Sequence, residues 1–375
     1  MVIKNKNMIR EKCVICDGNK LHDFLTLDSM PVYMGVTSEL EYNTEKMIFC
    51  ECEDCSNIQL RKLIDIEVLY SHNHNVDTVG DLWKNHYISF LDFASDGFND
   101  KTILEIGDPS AKIAKIASNY NKWIIVEKNP GIESSDKIVF IETFFDKDFQ
   151  TNENVDTIIH SHLFEHIYEP KEFLKKCHEI LKEDGDMYFS IPDLRYFLEG
   201  DFLPNSILQF EHTYFIDELY INKLCSETGF KLVKSFRYAN HSVFFHLSKQ
   251  TDNIEIDLKF DKISDRFLEI YNNLINRIEC LNVKLKESNN VFLYGAHVTS
   301  QSYIFNGLNT DNIIGIIDGS DAKQNKYLHS TELITHSIDI LNKYDDISVI
   351  CSHMGIYEKE ISDKLRSINP NVIIL

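Results

Sequence analysis

NVDTIIHSHLFEHIYEPKEFLKKCHEILKEDGDMYFSIPD, residues 154–193, is the stretch on which the reading turns. Val155 to Ile159 is a short apolar run with the length of a strand. It ends in a crowd of titratable side chains: His160, His162, Glu165 and His166. Pro170 to Leu181 carries a helical pattern, and Glu183-Asp184-Gly185-Asp186 reads as a turn. Met187 to Ile191 is a second apolar run. A strand, a helix and a strand in this order describe a βαβ unit with buried parallel strands. His160 and His162 straddle the strand alternation, so one of the two is expected to be buried and structural.

Working outward, Ile103–Ile106 and Trp123–Val126 are further apolar runs, with helical segments over 111–119 and 216–228. His241–Leu247 reads as a late strand, antiparallel, at an edge or in a hairpin. A polar–apolar helix over 263–286 looks like a connector. A second α/β pattern follows: Val291–Tyr294, Gly295, a helix from Ser300, and Ile313–Ile317 ending at Asp318. Ile347–Val349 and Val372–Ile374 close it. Residues 1–75 are rich in cysteine and show short strand-like runs such as Met47–Phe49. The expected division is 1–75, 76–250 and 251–375, in line with a chain of 375 residues.

A hydrophobic content of 43% with 26% charged residues describes an ordered chain. The net charge of -21 disfavours binding to a nucleic acid backbone, and no Lys/Arg cluster offsets it. No run of eighteen apolar residues suggests a membrane span, and MVIKNKNMIREKC lacks the apolar core of a secretory signal. The expected location is cytoplasmic.

Five of the nine cysteines fall in the first 55 residues. Cys13-Val-Ile-Cys16 and Cys52-Glu-Asp-Cys55 are paired C-x-x-C knuckles, the usual way to build a closed, structural four-thiolate zinc site. Cys50 could replace Cys52 in a shifted arrangement. Cys177, Cys225, Cys280 and Cys351 sit singly and read as core residues.

Strand 103–106 ends in Glu105-Ile106-Gly107, then Asp108-Pro109-Ser110 and a helix. A glycine there lets the chain approach a cofactor closely. Glu127 follows about twenty residues later, at the end of the next strand, where an acid can accept both ribose hydroxyls. The loop lacks the usual glycine-rich run, so these residues alone leave cofactor binding and plain packing evenly balanced.

The opening stretch resembles class I methyltransferases dependent on S-adenosylmethionine, with Asp156 beginning the fourth strand and ILKEDGDMYFSIPD as helix, turn and fifth strand. The whole chain, from Cys13 to Leu375, is similar to the sugar C-methyltransferase family that acts on nucleotide-linked keto-deoxysugars. CEDCSNIQL (52–60) resembles its second zinc knuckle, HLFEHI (162–167) its fourth-strand motif and FEHTYF (210–215) its Glu-His element. LYGAHVTSQ (293–301) with DGSDAKQNKYL (318–328) resembles its C-terminal domain.

The resemblance implies an α/β chain: a class I methyltransferase Rossmann-like domain flanked by a small zinc-binding domain and a second Rossmann-like domain. It implies S-adenosylmethionine and zinc as cofactors, and a nucleotide-linked sugar as substrate. His212 beside Glu211 corresponds to the base, His166 to a second active-site histidine, and Tyr70 in VLYSHNHN to a tyrosine reaching the same site, although His72 and His74 intrude there. Glu105, Gly107, Glu127 and His162 are the expected cofactor contacts. Cys13, Cys16, Cys52 and Cys55 are the expected metal ligands.

The chemistry suits these residue types. A carbon next to a keto group must lose a proton before it attacks a methyl sulfonium, and a neutral histidine is fitted to take it. A tyrosine or second histidine can stabilise the enolate oxygen. Trp83 and His86 shape the acceptor pocket or pack the linker. The C-terminal turn at Tyr294-Gly295-Ala296, with Asp318, holds part of the nucleotide-sugar or packs as a stabilising module. Competing readings are O- or N-methylation of a sugar or sugar-linked molecule, and a catalytically weakened scaffold. Monomer and homodimer are both open. Usage rich in Asn, Lys and Ile suggests an AT-rich bacterial genome, and with it surface-glycan biosynthesis.

Overall fold

The computed structural model describes residues 8–71, 81–200, 207–250, 261–351 and 358–375. The boundaries expected at 75/76 and 250/251 lie outside the described residues, as do His72 and His74.

The N-terminal module is a three-stranded antiparallel sheet in the order β1-β2-β3: β1 Leu21–Pro31, β2 Thr44–Cys52 and β3 Ile58–Leu60. Helix α1 (Asp81–Phe93) leads into the central unit and buries His86 and Phe90, four residues apart on one face. The central strands are β4 Thr102–Ile106, β5 Lys122–Val126, β6 Ile138–Ile141 and β7 Val155–Ser161. Helix α2 (Lys112–Ile116) joins β4 to β5. Helix α3 (Pro170–Ile180) starts on its proline, whose missing N–H costs nothing there, and feeds β8 (Leu181–Pro192). Then come α4 (Glu218–Thr228), β9 (Phe230–Tyr238) and β10 (Ser242–Lys249).

These seven strands form one sheet in the order β6-β5-β4-β7-β8-β10-β9. All are parallel except β10, which runs antiparallel between β8 and β9. This is the class I methyltransferase sheet. The chain winds outward from β4 through β5 to β6, then returns to lay β7 on the other side of β4. A crevice therefore opens beyond the carboxyl ends of β4 and β7. Val126, Ile124, Leu104 and Ile158 fill one face of the sheet, while Trp123, Ile103, Ile125 and Ile159 fill the other.

Two expectations change and a third is resolved. Glu183–Asp186 is not a separate turn: β8 begins at Leu181, and its pairing with β7 jumps from Leu181 to Asp186, so the acidic run is looped out of the ladder. The late strand takes the hairpin alternative: β10 pairs antiparallel with β9 and lies inside it in the sheet. The segment expected to be helical over 111–119 is helical only from Lys112 to Ile116, since Ala111 takes a left-handed conformation (φ 52°).

Helix α5 (Ser264–Leu285) buries Phe267, Ile270, Leu274, Ile278, Leu281 and Leu285 along one stripe. Its first turn packs Phe267 on Phe24 and Phe49 of the N-terminal module. Farther along, Tyr271 donates to Asn306 and Arg277 to the Tyr303 hydroxyl. The connector is thus a spar shared by two units. Beyond it a five-stranded parallel sheet contains β11 Val291–Tyr294, β12 Ile313–Asp318, β13 Thr335–Ser337, β14 Ser348–Cys351 and β15 Ile373–Ile374. Its order is β13-β12-β11-β14-β15, with helices α6 (Val298–Phe305) and α7 (Glu358–Ile368). A two-residue ladder, Val36–Thr37 with Tyr327–Leu328, ties this unit to the N-terminal module. Gln301, fully buried, donates to the carbonyls of Tyr33 and His329. No helix among the described residues is long and apolar enough to cross a membrane.

Candidate active site

The Glu-His element is positioned by the N-terminal module. Leu60 N–H donates to the Thr213 carbonyl at 2.8 Å and Phe215 N–H to the Ile58 carbonyl at 2.6 Å, so residues 213–215 run as an added strand beside β3. Asn57 donates to the Phe215 carbonyl. Buried Arg10 spans the seam: it donates to the Thr213 carbonyl at 2.6 Å, the Thr213 hydroxyl at 3.1 Å and the Tyr168 carbonyl at 3.1 Å. A hydrogen bond from Thr213 N–H to the Glu165 carbonyl completes the link to the end of β7.

These contacts bring together four of the expected residues: Tyr70, His166, Glu211 and His212. The Tyr70 hydroxyl lies 2.8 Å from His166 Nδ1. The His166 and His212 rings meet edge to face with centroids 5.0 Å apart. His166 Nδ1 is 3.7 Å from Glu211. At the centre stands Glu165, a residue that the sequence reading noticed but gave no role. Its Oε1 is 3.8 Å from His166 Nε2, 3.9 Å from His212 Nε2 and 3.6 Å from His162 Nδ1. It is fully buried, and neither oxygen has a hydrogen-bond partner among the described residues.

Burial raises the Glu165 carboxyl to about 7. Burial and then the charge of Glu165 raise Glu211 to about 8. Two buried carboxyls that feel each other's charge titrate as a pair, and near neutral pH they hold at least one proton between them. Burial, followed by the charge of Glu211, holds the Tyr70 phenol well above its usual range, so it stays protonated beside His166 Nδ1. Tyr33 is a further buried phenol of the N-terminal module that feels the Glu211 charge. Burial, with that charge second, pushes it up to about 12. The cluster can accept, store and return a proton beside an uncharged polar donor. The only sequence signal for Glu165 was its place next to His166.

The cofactor side is built at the ends of β4 and β5. Gly107 has φ +80°, and a Cβ there would meet Leu163 at 3.2 Å. Asp108 accepts from the N–H groups of Ser110 and Lys112, so a carboxylate caps α2 where a glycine-rich loop would leave N–H groups free. Gly131 N–H bonds the Pro109 carbonyl at 2.8 Å and folds the loop after β5 onto this turn. Glu127 stands half-buried at the end of β5, with Oε1 accepting from Asn129 N–H at 2.8 Å. Burial, then a backbone bond acting against it, leaves its carboxyl raised.

Glu105 does not join these groups. Its Oε2 accepts from the Trp123 indole at 2.7 Å, on the face of the sheet packed by Trp123 and Ile159, and burial raises its pKa well above the usual range. It anchors the floor of the crevice. His162 stands at the end of β7 in a left-handed conformation (φ 50°), its Nε2 2.8 Å from the Ser242 hydroxyl. His160 is the buried structural partner of the pair, stacked on Phe189 at 4.8 Å.

In the N-terminal module the four expected sulfurs converge, all within 4.8 Å of one another. The two knuckles are built alike. Asp17 N–H bonds the Cys13 carbonyl at 2.9 Å and Ser56 N–H the Cys52 carbonyl at 2.8 Å, and both residues after the second cysteine are left-handed (φ 60° and 56°). Ile15 N–H points at Cys13 Sγ, 3.4 Å away. Cys50 is outside the cluster: it donates to the Gln59 carbonyl, and burial raises its thiol to about 12. Matched knuckles with N–H groups turned to sulfur fit a tetrahedral thiophilic ion.

In the C-terminal unit Asp318 is engaged by its own turn. It accepts from Ala296 N–H at 2.9 Å, Ser320 N–H at 2.9 Å and Lys323 at 3.0 Å. Gly295, at φ 97°, makes that turn possible.

Residues 83–235 match the family model described as a methyltransferase domain. No curated protein sequence matches significantly. Similar solved structures include the N-methyltransferase NodS from Bradyrhizobium japonicum, at 13% identity and TM-score 0.36 over 46% of this chain and 98% of that one. Its complex with S-adenosyl-L-homocysteine aligns at 13% identity and TM-score 0.37, over 47% of this chain and 93% of that one. The Burkholderia thailandensis 1,6-didemethyltoxoflavin-N1-methyltransferase aligns at 13% identity and TM-score 0.37, over 48% of this chain and 84% of that one. The domain match and the sheet order agree: residues 83–235 form a methyltransferase domain on a class I sheet.

Proposed function

We propose that this methyltransferase acts on a nucleotide-linked keto-deoxysugar and transfers the methyl group to a carbon beside the keto group. The observation that carries the reading is the proton-handling cluster: Tyr70, His166 and His212 gathered around buried Glu165, with Glu211 alongside. An oxygen or nitrogen acceptor needs one base at most, whereas carbon requires a base and a donor for the enolate oxygen. His212 takes the proton from the acceptor carbon. Glu165, close to its Nε2, stabilises the imidazolium that forms. Tyr70 and His166 donate toward the keto oxygen as it gains charge.

S-adenosylmethionine, when bound, supplies an electrophilic methyl group on a sulfonium. The residues suited to hold it are Gly107, whose lack of a Cβ opens the turn after β4, Glu127 for the ribose hydroxyls, and His162 at the end of β7. Zinc fits Cys13, Cys16, Cys52 and Cys55 and has a structural role, because the strand it fastens is the one that carries residues 213–215. The partner is the soluble sugar nucleotide rather than a nucleic acid or a membrane, and the setting is cytoplasmic. The units correspond to 1–75, 76–250 and 251–375.

The test incubates the protein with methyl-labelled S-adenosylmethionine and a panel of nucleotide-linked 4-keto-6-deoxysugars. A new carbon-bound methyl signal by NMR is expected. A methyl signal on oxygen or nitrogen would replace the carbon reading, and no transfer across the panel would remove the sugar.

A further inference from the structure

We propose that His86, His162 and His241 form a second metal site, one that binds a divalent first-row transition ion through imidazole nitrogens. The three residues come from separate elements. His86 is on the buried face of α1, His162 directly follows β7, and His241 closes the turn from β9 to β10. That turn is tight: Ala239 and Asn240 are both left-handed (φ 50° and 54°), and His241 N–H bonds the Tyr238 carbonyl at 2.8 Å. One nitrogen from each ring lies within 4.8 Å of the others.

The nitrogens face a common point. Ser242 Oγ is 2.6 Å from His241 Nδ1, 2.8 Å from His162 Nε2 and 3.3 Å from His86 Nδ1. Metal-bound imidazoles normally have their far nitrogen held by another group. Here His86 Nε2 lies 3.2 Å from Ser161 Oγ and 3.4 Å from Ser190 Oγ. His162 Nδ1 faces Glu165 at 3.6 Å, the fully buried carboxyl with no hydrogen-bond partner among the described residues. A carboxyl behind a histidine is the outer-shell arrangement that fixes a ligand's tautomer and raises its basicity. Trp83 packs its edge on His162 and His241, with centroids at 4.8 and 4.6 Å, and limits their rotation.

A set of imidazoles without thiolate selects zinc, nickel, cobalt, copper or iron over magnesium and calcium. Three protein nitrogens leave a coordination position for Ser242 or for an oxygen of a bound acceptor. The site lies at the carboxyl ends of β7 and β8, so an ion there faces the same crevice as the proton-handling cluster. The competing arrangement is a metal-free knot in which Ser242 and the three rings satisfy one another.

The experiment uses the full chain, stripped with a chelator, reloaded with zinc and desalted, with elemental analysis and X-ray absorption at the zinc edge. Two ions per chain are expected, with an average shell split between sulfur and nitrogen or oxygen. One ion with a sulfur-only shell overturns the proposal. One ion with a shell of nitrogen and oxygen supports it and removes the four-cysteine site instead. The double variant H86Q/H241Q should lose the nitrogen-rich ion and keep the sulfur-bound one; retention of both ions also overturns the proposal. The wild-type spectrum decides the question even if the variant does not fold.

Discussion

Replacing Arg10 by methionine tests how the catalytic segment is held. Methionine keeps the packing of the alkyl stem but removes every donor. Four contacts are lost, to the Thr213 carbonyl, the Thr213 hydroxyl, the Tyr168 carbonyl and, at 3.5 Å, the Leu60 carbonyl. A hydrogen bond from a charged donor is worth about 1.5–3 kcal/mol, and an acceptor left buried and unpaired costs about 1–3 kcal/mol. The contacts share one side chain and water can refill part of the gap, so a net loss of about 3 kcal/mol is the reasonable sum. The loss falls on the seam between β3 and residues 213–215. The assay is native-state hydrogen exchange on Leu60, Thr213 and Phe215, whose amides all bond across or beside that seam. A loss of about 3 kcal/mol corresponds to exchange faster on the order of 100-fold where local opening governs it. Methyl transfer should fall with it, since His212 rides on the same segment. Wild-type exchange at these amides in a folded R10M protein would refute the claim that Arg10 fastens the active site.

Three further predictions follow from single residues. Glu127→Ala should weaken S-adenosylmethionine binding by about 10–100-fold in calorimetry, the worth of a charge-assisted ribose contact; unchanged affinity would place the ribose elsewhere. Gly107→Ala forces a side chain into a left-handed turn against Leu163 and should cost about 1–2 kcal/mol in urea unfolding, together with cofactor affinity. Glu211 binds its proton more tightly folded, at about 8, than unfolded, at about 4.5. The folded state therefore holds more protons across that window, and the contribution of Glu211 to stability is lost as pH rises through it. Glu211→Gln should flatten the fall of stability between pH 4.5 and 8; an unchanged slope would show that Glu211 is not the group responsible.

The central sheet was legible because each strand is an apolar run bounded by turn residues, and the order of motifs carried the rest. Strand β6 and edge strand β9 were missed. Ile138–Ile141 is only four residues long, and β9 has a mostly exposed pattern that hides its apolar face. The looped-out residues before Asp186 looked like a turn because acidic and glycine residues serve both purposes. The site was half legible. Histidines announce themselves, but the support does not: Arg10 and Asn57 act over more than 150 residues of separation, and nothing local in the sequence marks them. Glu105 was misread for the opposite reason. Its position at the end of a strand is right for a cofactor contact, but strand alternation turns it inward to Trp123. The cluster of His86, His162 and His241 depends on a tight turn and a helix face meeting across the crevice, a juxtaposition only the fold supplies.

The measurement that most directly tests the account is proton exchange at the acceptor carbon in deuterated water, followed by NMR with a nucleotide-linked 4-keto-6-deoxysugar and S-adenosyl-L-homocysteine in place of the methyl donor. The account predicts enzyme-dependent deuterium uptake at the carbon beside the keto group, lost in His212→Ala and slowed in Tyr70→Phe. Methyl transfer to that sugar without any exchange, or exchange that survives the loss of His212, would contradict it.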